Sequence, residues 1–229
     1  MNLFCFPYAG SSAFKYSVWN TYLKSSIKLI PVELAGRGSR ISEAFYKNVS
    51  EAVHDVYSNI EHYLNDEPYA FFGHSMGAII AYELAIKIKK NKLPLPRHIF
   101  FSGRKAPDVI RNDEKKYHLM EENTFEREII ELGGTSNVFF QDKELTELLL
   151  PVLKQDLKIA ETYEFNKMFK PFEFNISILL GKDEDFIAEQ CDSWKRHTEG
   201  ICSIYYFNGG HFFILNHPKE IVEIINKTI

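Results

Sequence analysis

The chain has 229 residues, 45% of them hydrophobic and 14% aromatic, enough for one large core in a single domain. Its 27 basic and 31 acidic side chains leave a net charge of -4, so no basic field exists to hold a phosphate backbone and nucleic acid is excluded as a partner. Cys5, Cys191 and Cys202 lack the short paired spacings of zinc sites or secreted disulfide frameworks, and there is neither a cationic leader nor an apolar run of the ~20 residues a membrane span needs; the expectation is a cytoplasmic, soluble protein with reduced thiols.

Taken in chain order, the predicted elements alternate. A strand at Leu3–Phe6 is followed by a helix at Ala13–Leu23, a strand at Lys28–Leu34, and a helix at Ser50–Leu64 with Val53, Val56, Tyr57, Ile60 and Leu64 on one face. A strand at Tyr69–Phe72 runs into a helix at Ser75–Lys90, then a strand at His98–Ser102. Strands at Ile176–Leu180 and Ser203–Phe207 alternate with helices at Ala188–His197 and Pro218–Lys227, the last opened by a proline suited to a helix's first turn. Short β-branched and aromatic runs separated by helical patterns predict an α/β fold: a mostly parallel sheet of about six or seven strands with helices on both faces. The alternation fails between residues 107 and 172, where only helical patterns occur. That length exceeds an ordinary connection and predicts a helical insertion, whose apolar run Leu148, Leu149, Leu150, Val152 and Leu153 packs on the main domain or on a ligand.

Between the third strand and its helix stands Gly73-His74-Ser75-Met76-Gly77. GxSxG in a strand-turn-helix setting is the pattern of a nucleophile elbow: the serine sits in a strained turn above the sheet edge, and strand and helix pass too close for side chains at the flanking positions. A serine hydroxyl is a poor nucleophile until a base takes its proton, and in this fold class base and acid follow in the order Ser, acid, His. His211, in NGGHFFI just past the last strand, has the order and loop position required; His74, His98 and His217 read as structural. The acid should leave the strand ISILLG, where Asp183, Glu184 and Asp185 stand in a row and leave the choice open. Oxyanion donors are expected from the amide of Met76 and from the loop after the first strand, FPYAG, where Ala9 is the choice.

FCFPYAGSSA, ELAGRGSR, GHSMGA, FFSGRKAP, ELGG, LLPVLKQDLKIAETY and FNGGHFFI together, over nearly the whole chain and in this order, resemble the stand-alone type II thioesterases that accompany nonribosomal peptide and polyketide synthetases. The resemblance implies an α/β-hydrolase fold with a mobile helical lid at about 107–172. It also implies hydrolysis of acyl or aminoacyl thioesters from the phosphopantetheine arms of acyl or peptidyl carrier proteins, by a monomer that needs no metal and no diffusible cofactor. Matched position by position, Ser75 is similar to the family's nucleophile, His211 to its base, and Met76 and Ala9 to its oxyanion donors. The family's aspartate falls on Glu184 by ungapped counting from Gly181, while residue type favours Asp185 and leaves Asp183 third. Arg37, Arg40 and Arg104 are candidates for the arm's phosphate or an acidic carrier surface. Competing expectations are an acyltransferase or general carboxylesterase with the same triad, and a non-catalytic binding protein of the same fold.

Overall fold

A computed structural model of the chain describes residues 1–109, 115–135, 137–166, 170–184 and 192–229. Six strands form one sheet: β1 (Asn2–Phe6), β2 (Lys28–Pro31), β3 (Tyr69–His74), β4 (His98–Ser102), β5 (Asn175–Gly181) and β6 (Cys202–Phe207), in the spatial order β2-β1-β3-β4-β5-β6. Every pairing is parallel. β1, β3 and β4 are buried along their whole length, which explains why they read as continuous rather than alternating apolar runs.

The helices cover both faces. α1 (Val49–Ile60) and α2 (Met76–Lys90) share one core with the sheet, centred on Phe4, Phe71, Ile80, Tyr82 and Phe101. The 3₁₀ segment Ala13–Thr21 and the C-terminal helix Pro218–Thr228 enclose the other, around Trp19, Phe72, Phe100, Leu179 and Ile221. α1 begins with a reciprocal cap: the Asn48 side chain accepts from the Glu51 amide (2.9 Å) while the Glu51 carboxylate accepts from the Lys47 amide (2.8 Å). α2 lies over the middle of the sheet, so ten of its fifteen residues are buried and it shows little amphipathic pattern. Between β4 and β5 come α3 (Glu122–Leu132), α4 (Asn137–Gln141) and α5 (Lys143–Glu161).

Several expected boundaries move. The first helix is a 3₁₀ segment ending at Thr21, since its pattern is split between Tyr16 and Trp19 inside and Phe14 and Val18 outside. β2 ends at Pro31 instead of Leu34, and its last bond to β1 runs from the Val32 amide to the Cys5 carbonyl (2.9 Å). α1 closes at Ile60 and tightens to 3₁₀ as far as Tyr63. Of the helix expected at Ala188–His197, Ser193–His197 is 3₁₀ and positions 185–191 lie outside the described residues. Ser75 belongs to neither β3 nor α2, for a reason that defines the site.

Candidate active site

Ser75 joins β3 to α2 with φ 53° and ψ -111°, a left-handed backbone that a residue with a side chain adopts only under constraint. The constraint comes from both sides: the Ser75 amide donates to the Ser102 carbonyl of β4 (2.8 Å), and its carbonyl accepts from the Ala78 amide of α2 (3.1 Å). Space explains the two glycines. A Cβ at Gly73 would lie 2.1 Å from the Gly77 carbonyl oxygen, and one at Gly77 would lie 2.1 Å from the carbonyl oxygen of Phe6. β3, α2 and the end of β1 therefore converge at one point. Ser75 stands there with Met76, the first residue of a fifteen-residue helix, immediately after it.

The loops after β5 and β6 are tied to each other. The Lys182 amide donates to the Phe207 carbonyl (2.8 Å) and the Asp183 amide to that of Gly209 (3.1 Å). A Cβ at Gly181 would lie 2.5 Å from the Gly210 carbonyl oxygen, so the bare glycine lets the loops approach. The result is a hydrogen bond of 2.9 Å between His211 Nδ1 and Glu184 Oε2, with the other carboxylate oxygen accepting from the Gly181 amide at 2.9 Å. The Glu184 side chain is 5% exposed and that of His211 18%. An ionised carboxylate only accepts, so Nδ1 carries the ring proton and Nε2 is left as the basic nitrogen. Asp183 is exposed, and Asp185, favoured on residue type, lies outside the described residues.

Ser75, His211 and Ala9 line one cavity of about 270 Å³. Its wall is completed by Tyr8 and Gly10 from the β1 loop, by Ile129, Leu132, Phe139, Leu149, Leu153 and Leu157 from α3 to α5, and by Phe212. The inserted helices thus supply most of the apolar wall facing the serine. Of the run read from sequence, Val152 and Leu153 are buried, Leu149 lines the cavity and Leu148 is exposed.

Arg37 and Asp156, neither of them expected in this role, hold the β1 loop. The Arg37 guanidinium and the Asp156 carboxylate of α5 form a two-bond ion pair, Nη2 to Oδ1 at 2.8 Å and Nη1 to Oδ2. Asp156 Oδ2 also accepts from the Gly10 amide (2.8 Å), and Arg37 Nη1 donates to the Ser11 carbonyl (3.2 Å). This corrects the expectation for Arg37. Arg37 is 3% exposed and is spent on the loop rather than on a phosphate. Arg40 is paired with Glu43 and Asp55, and Arg104 donates to the Ala160 carbonyl. Asp156 falls within the run LLPVLKQDLKIAETY, but that run assigned it no role; its own signal is a carboxylate on the apolar face of a helix.

The other histidines have local partners. His98 Nε2 meets Ser177 Oγ (2.9 Å), His197 Nε2 meets Asp108 Oδ1 (2.9 Å), and His217 Nε2 meets the Asn208 carbonyl (2.9 Å). His74 is fully buried, its Nδ1 2.9 Å from Ser102 Oγ and its ring centroid 5.0 Å from that of His211. Burial first, and then the His211 charge, push its pKa well below the ordinary range, so it stays neutral beneath the site. Among the described residues no group of three His, Cys, Asp or Glu side chains gathers as a metal site would require, and no helix is long and apolar enough to cross a membrane.

Comparison with known proteins decides the family, since the thioesterase domain model matches residues 1–229. The chain belongs to the thioesterase family. The gramicidin S biosynthesis protein GrsT of Aneurinibacillus migulanus is similar to this thioesterase at 34% identity, covering 100% of this chain and 89% of the relative. Among solved structures, ClbQ from the colibactin NRPS/PKS pathway matches with a TM-score of 0.92 and 32% identity, covering 99% of this chain and 95% of its own. The type II thioesterase BorB from the borrelidin biosynthetic cluster matches with a TM-score of 0.88 and 30% identity, covering 99% and 91%. The fold of this thioesterase is the α/β-hydrolase fold of those neighbours, and the resemblance drawn from FPYAG, GHSMG and NGGHFF is borne out.

Proposed function

We propose that this thioesterase releases acyl groups from the phosphopantetheine arms of carrier proteins in a nonribosomal peptide or polyketide pathway, as a monomer in the cytoplasm. The observation that carries the reading is that Ser75 and His211 share one largely apolar cavity while Glu184 holds the histidine from behind. The names of GrsT, ClbQ and BorB support the setting in a biosynthetic pathway.

In this reading His211 Nε2 takes the proton of Ser75, whose oxygen attacks the thioester carbonyl. The Met76 amide, at the positive end of α2, and the Ala9 amide stabilise the oxyanion. Ala9 is preferred to its neighbour because the Gly10 amide is already bonded to Asp156. The imidazolium, held by Glu184, returns its proton to the departing thiolate of the arm, and water activated by the same imidazole then frees the acid. Glu184 is proposed as the triad acid in place of Asp185. Its longer side chain reaches Nδ1 from a position one residue nearer the strand. Residues 107–172, carrying α3 to α5, act as a lid over the acyl group.

The test compares acyl-carrier proteins with simple oxygen esters of the same acyl group, using wild type and Ser75→Ala. The reading expects a strong preference for the carrier thioester and its loss in the variant. Equal turnover of both esters would make the protein a general carboxylesterase, and acyl transfer to a second nucleophile in place of water would make it an acyltransferase.

A further inference from the structure

Ser75 and His211 do not exhaust the reactive groups of the cavity. Lys15 lines it as well, and apart from the titratable His211 it is the one charged side chain among the described residues of the wall. It sits in the 3₁₀ segment Ala13–Thr21, whose backbone is held in place. The Ala13 amide donates to Glu33 Oε1 (3.0 Å), the Lys15 amide to the Ser12 carbonyl (3.2 Å), and the hydroxyl of the buried Tyr16 to the Phe6 carbonyl (2.8 Å). The side chain is not held: Lys15 is exposed and, among the described residues, its ammonium has neither an ion pair nor a hydrogen bond. As a sphere, a cavity of about 270 Å³ is about 8 Å across, and a flexible four-carbon stem carries an amine over most of that width. In the proposed reaction Ser75 holds an acyl ester in the same space at every turnover. A primary amine and an activated carbonyl are then confined together, the condition under which an intramolecular reaction outruns one with a reagent in solution.

We propose that Lys15 is a site of self-acylation: it takes the acyl group from Ser75 and thereby stops the enzyme that loaded it. The inference rests on the proposed function, since the acyl donor is the Ser75 ester. The step balances without a further reagent. Lys15 gives one proton to solvent, and its neutral amine attacks the ester carbonyl, whose oxyanion faces the same amides as in hydrolysis. His211 Nε2 takes the second amine proton and hands it to Ser75 Oγ as the C–O bond breaks, leaving a free serine and an amide on Lys15. Ser11 and Thr135 also line the cavity, but transfer to their hydroxyls only exchanges one ester for another. The amide is the more stable product and resists the water that clears Ser75. It removes the positive charge from the wall, and the acyl group it carries takes up space that the next substrate needs. Lysines are mostly protonated at neutral pH, so water wins nearly every turnover and the modification accumulates over many.

The experiment incubates the enzyme with excess acetyl-carrier protein for many turnovers at about pH 8.5, where more of a lysine's amine is neutral. Hydroxylamine then strips esters, and peptide mass spectrometry maps the acetyl groups that remain. Lys15 should be acetylated at least about tenfold more than Lys92 or Lys219, exposed lysines that do not line the cavity. In Ser75→Ala, Lys15 should stay unmodified under the same conditions. Acetate release by the wild type should decay as the Lys15 amide accumulates, and Lys15→Arg should show no such decay. Acetylation of Lys15 no greater than that of Lys92 and Lys219, equal acetylation in Ser75→Ala, or an undiminished decay in Lys15→Arg would each overturn the inference, while Ser75-dependent release leaves the thioesterase reading standing. Absence of any Ser75-dependent release of acetate would overturn that reading and this inference with it.

Discussion

The choice of acid among Asp183, Glu184 and Asp185 turns on one bond, His211 Nδ1 to Glu184 Oε2. If Glu184 holds the imidazole, Glu184→Gln removes the charge and lets the amide stabilise the wrong tautomer, so kcat is expected to fall by ~10²–10⁴-fold while Asp185→Asn stays near wild type. Steady-state rates of the two variants decide the assignment, and the reverse pattern would move it to Asp185. Buried histidines weaken the fold in acid. Burial lowers His98 from 6.5 to about 4 and holds His74 well below 6.5. Below pH 6.5 the unfolded chain binds these protons and the folded chain does not, so stability present above that pH is lost as pH falls toward the folded values. His98 alone makes the fold about 2 kcal/mol less stable at pH 5 than at neutral pH. Denaturant midpoints at pH 5 and 7.5 should differ in that direction, and a flat profile would contradict the buried neutral state.

At the scale of elements, α5 links the inserted helices to the loop after β1, which carries the proposed oxyanion donor Ala9, through Asp156, Arg37 and the Gly10 amide. Asp156→Asn leaves Arg37 buried without its counter-charge, which costs about 3–5 kcal/mol, and it loosens the loop that carries Ala9. Thermal denaturation should show the loss, and, if Ala9 is an oxyanion donor, kcat should fall further than KM rises. A stable variant with normal kcat would mean that the loop is held by other contacts. The apolar wall belongs to the same elements. Filling it with Leu149→Phe or Leu153→Phe should shift preference toward shorter acyl chains, read from rates over a chain-length series. Equal losses at every length would indicate damage to the fold in place of a smaller cavity.

Over the whole molecule, what was legible in the sequence was what depends on local pattern. β1, β3 and β4 are buried on both faces and so read as unbroken apolar runs. Gly73 and Gly77 announced a crossing too tight for side chains, and the carbonyl oxygens of Gly77 and Phe6 occupy the space their Cβ atoms would need. The distant pairings were illegible: Arg37 with Asp156 is 119 residues apart, and nothing local to either residue signals the other. The 3₁₀ form of Ala13–Thr21 was equally hidden, because its apolar residues satisfy a helical period without fixing which one. The acid was half legible, since three adjacent carboxylates satisfied the order Ser, acid, His and only the hydrogen-bond geometry favours one of them. The account as a whole rests on a covalent acyl group at Ser75. The most direct measurement is mass spectrometry of the Ser75 peptide after rapid acid quench of the enzyme with an acetyl-carrier protein. The account predicts one acetyl group on that peptide during turnover and none in Ser75→Ala, which should also fail to release acetate. Release that persists in Ser75→Ala, or turnover with no acyl group ever found on Ser75, would contradict it.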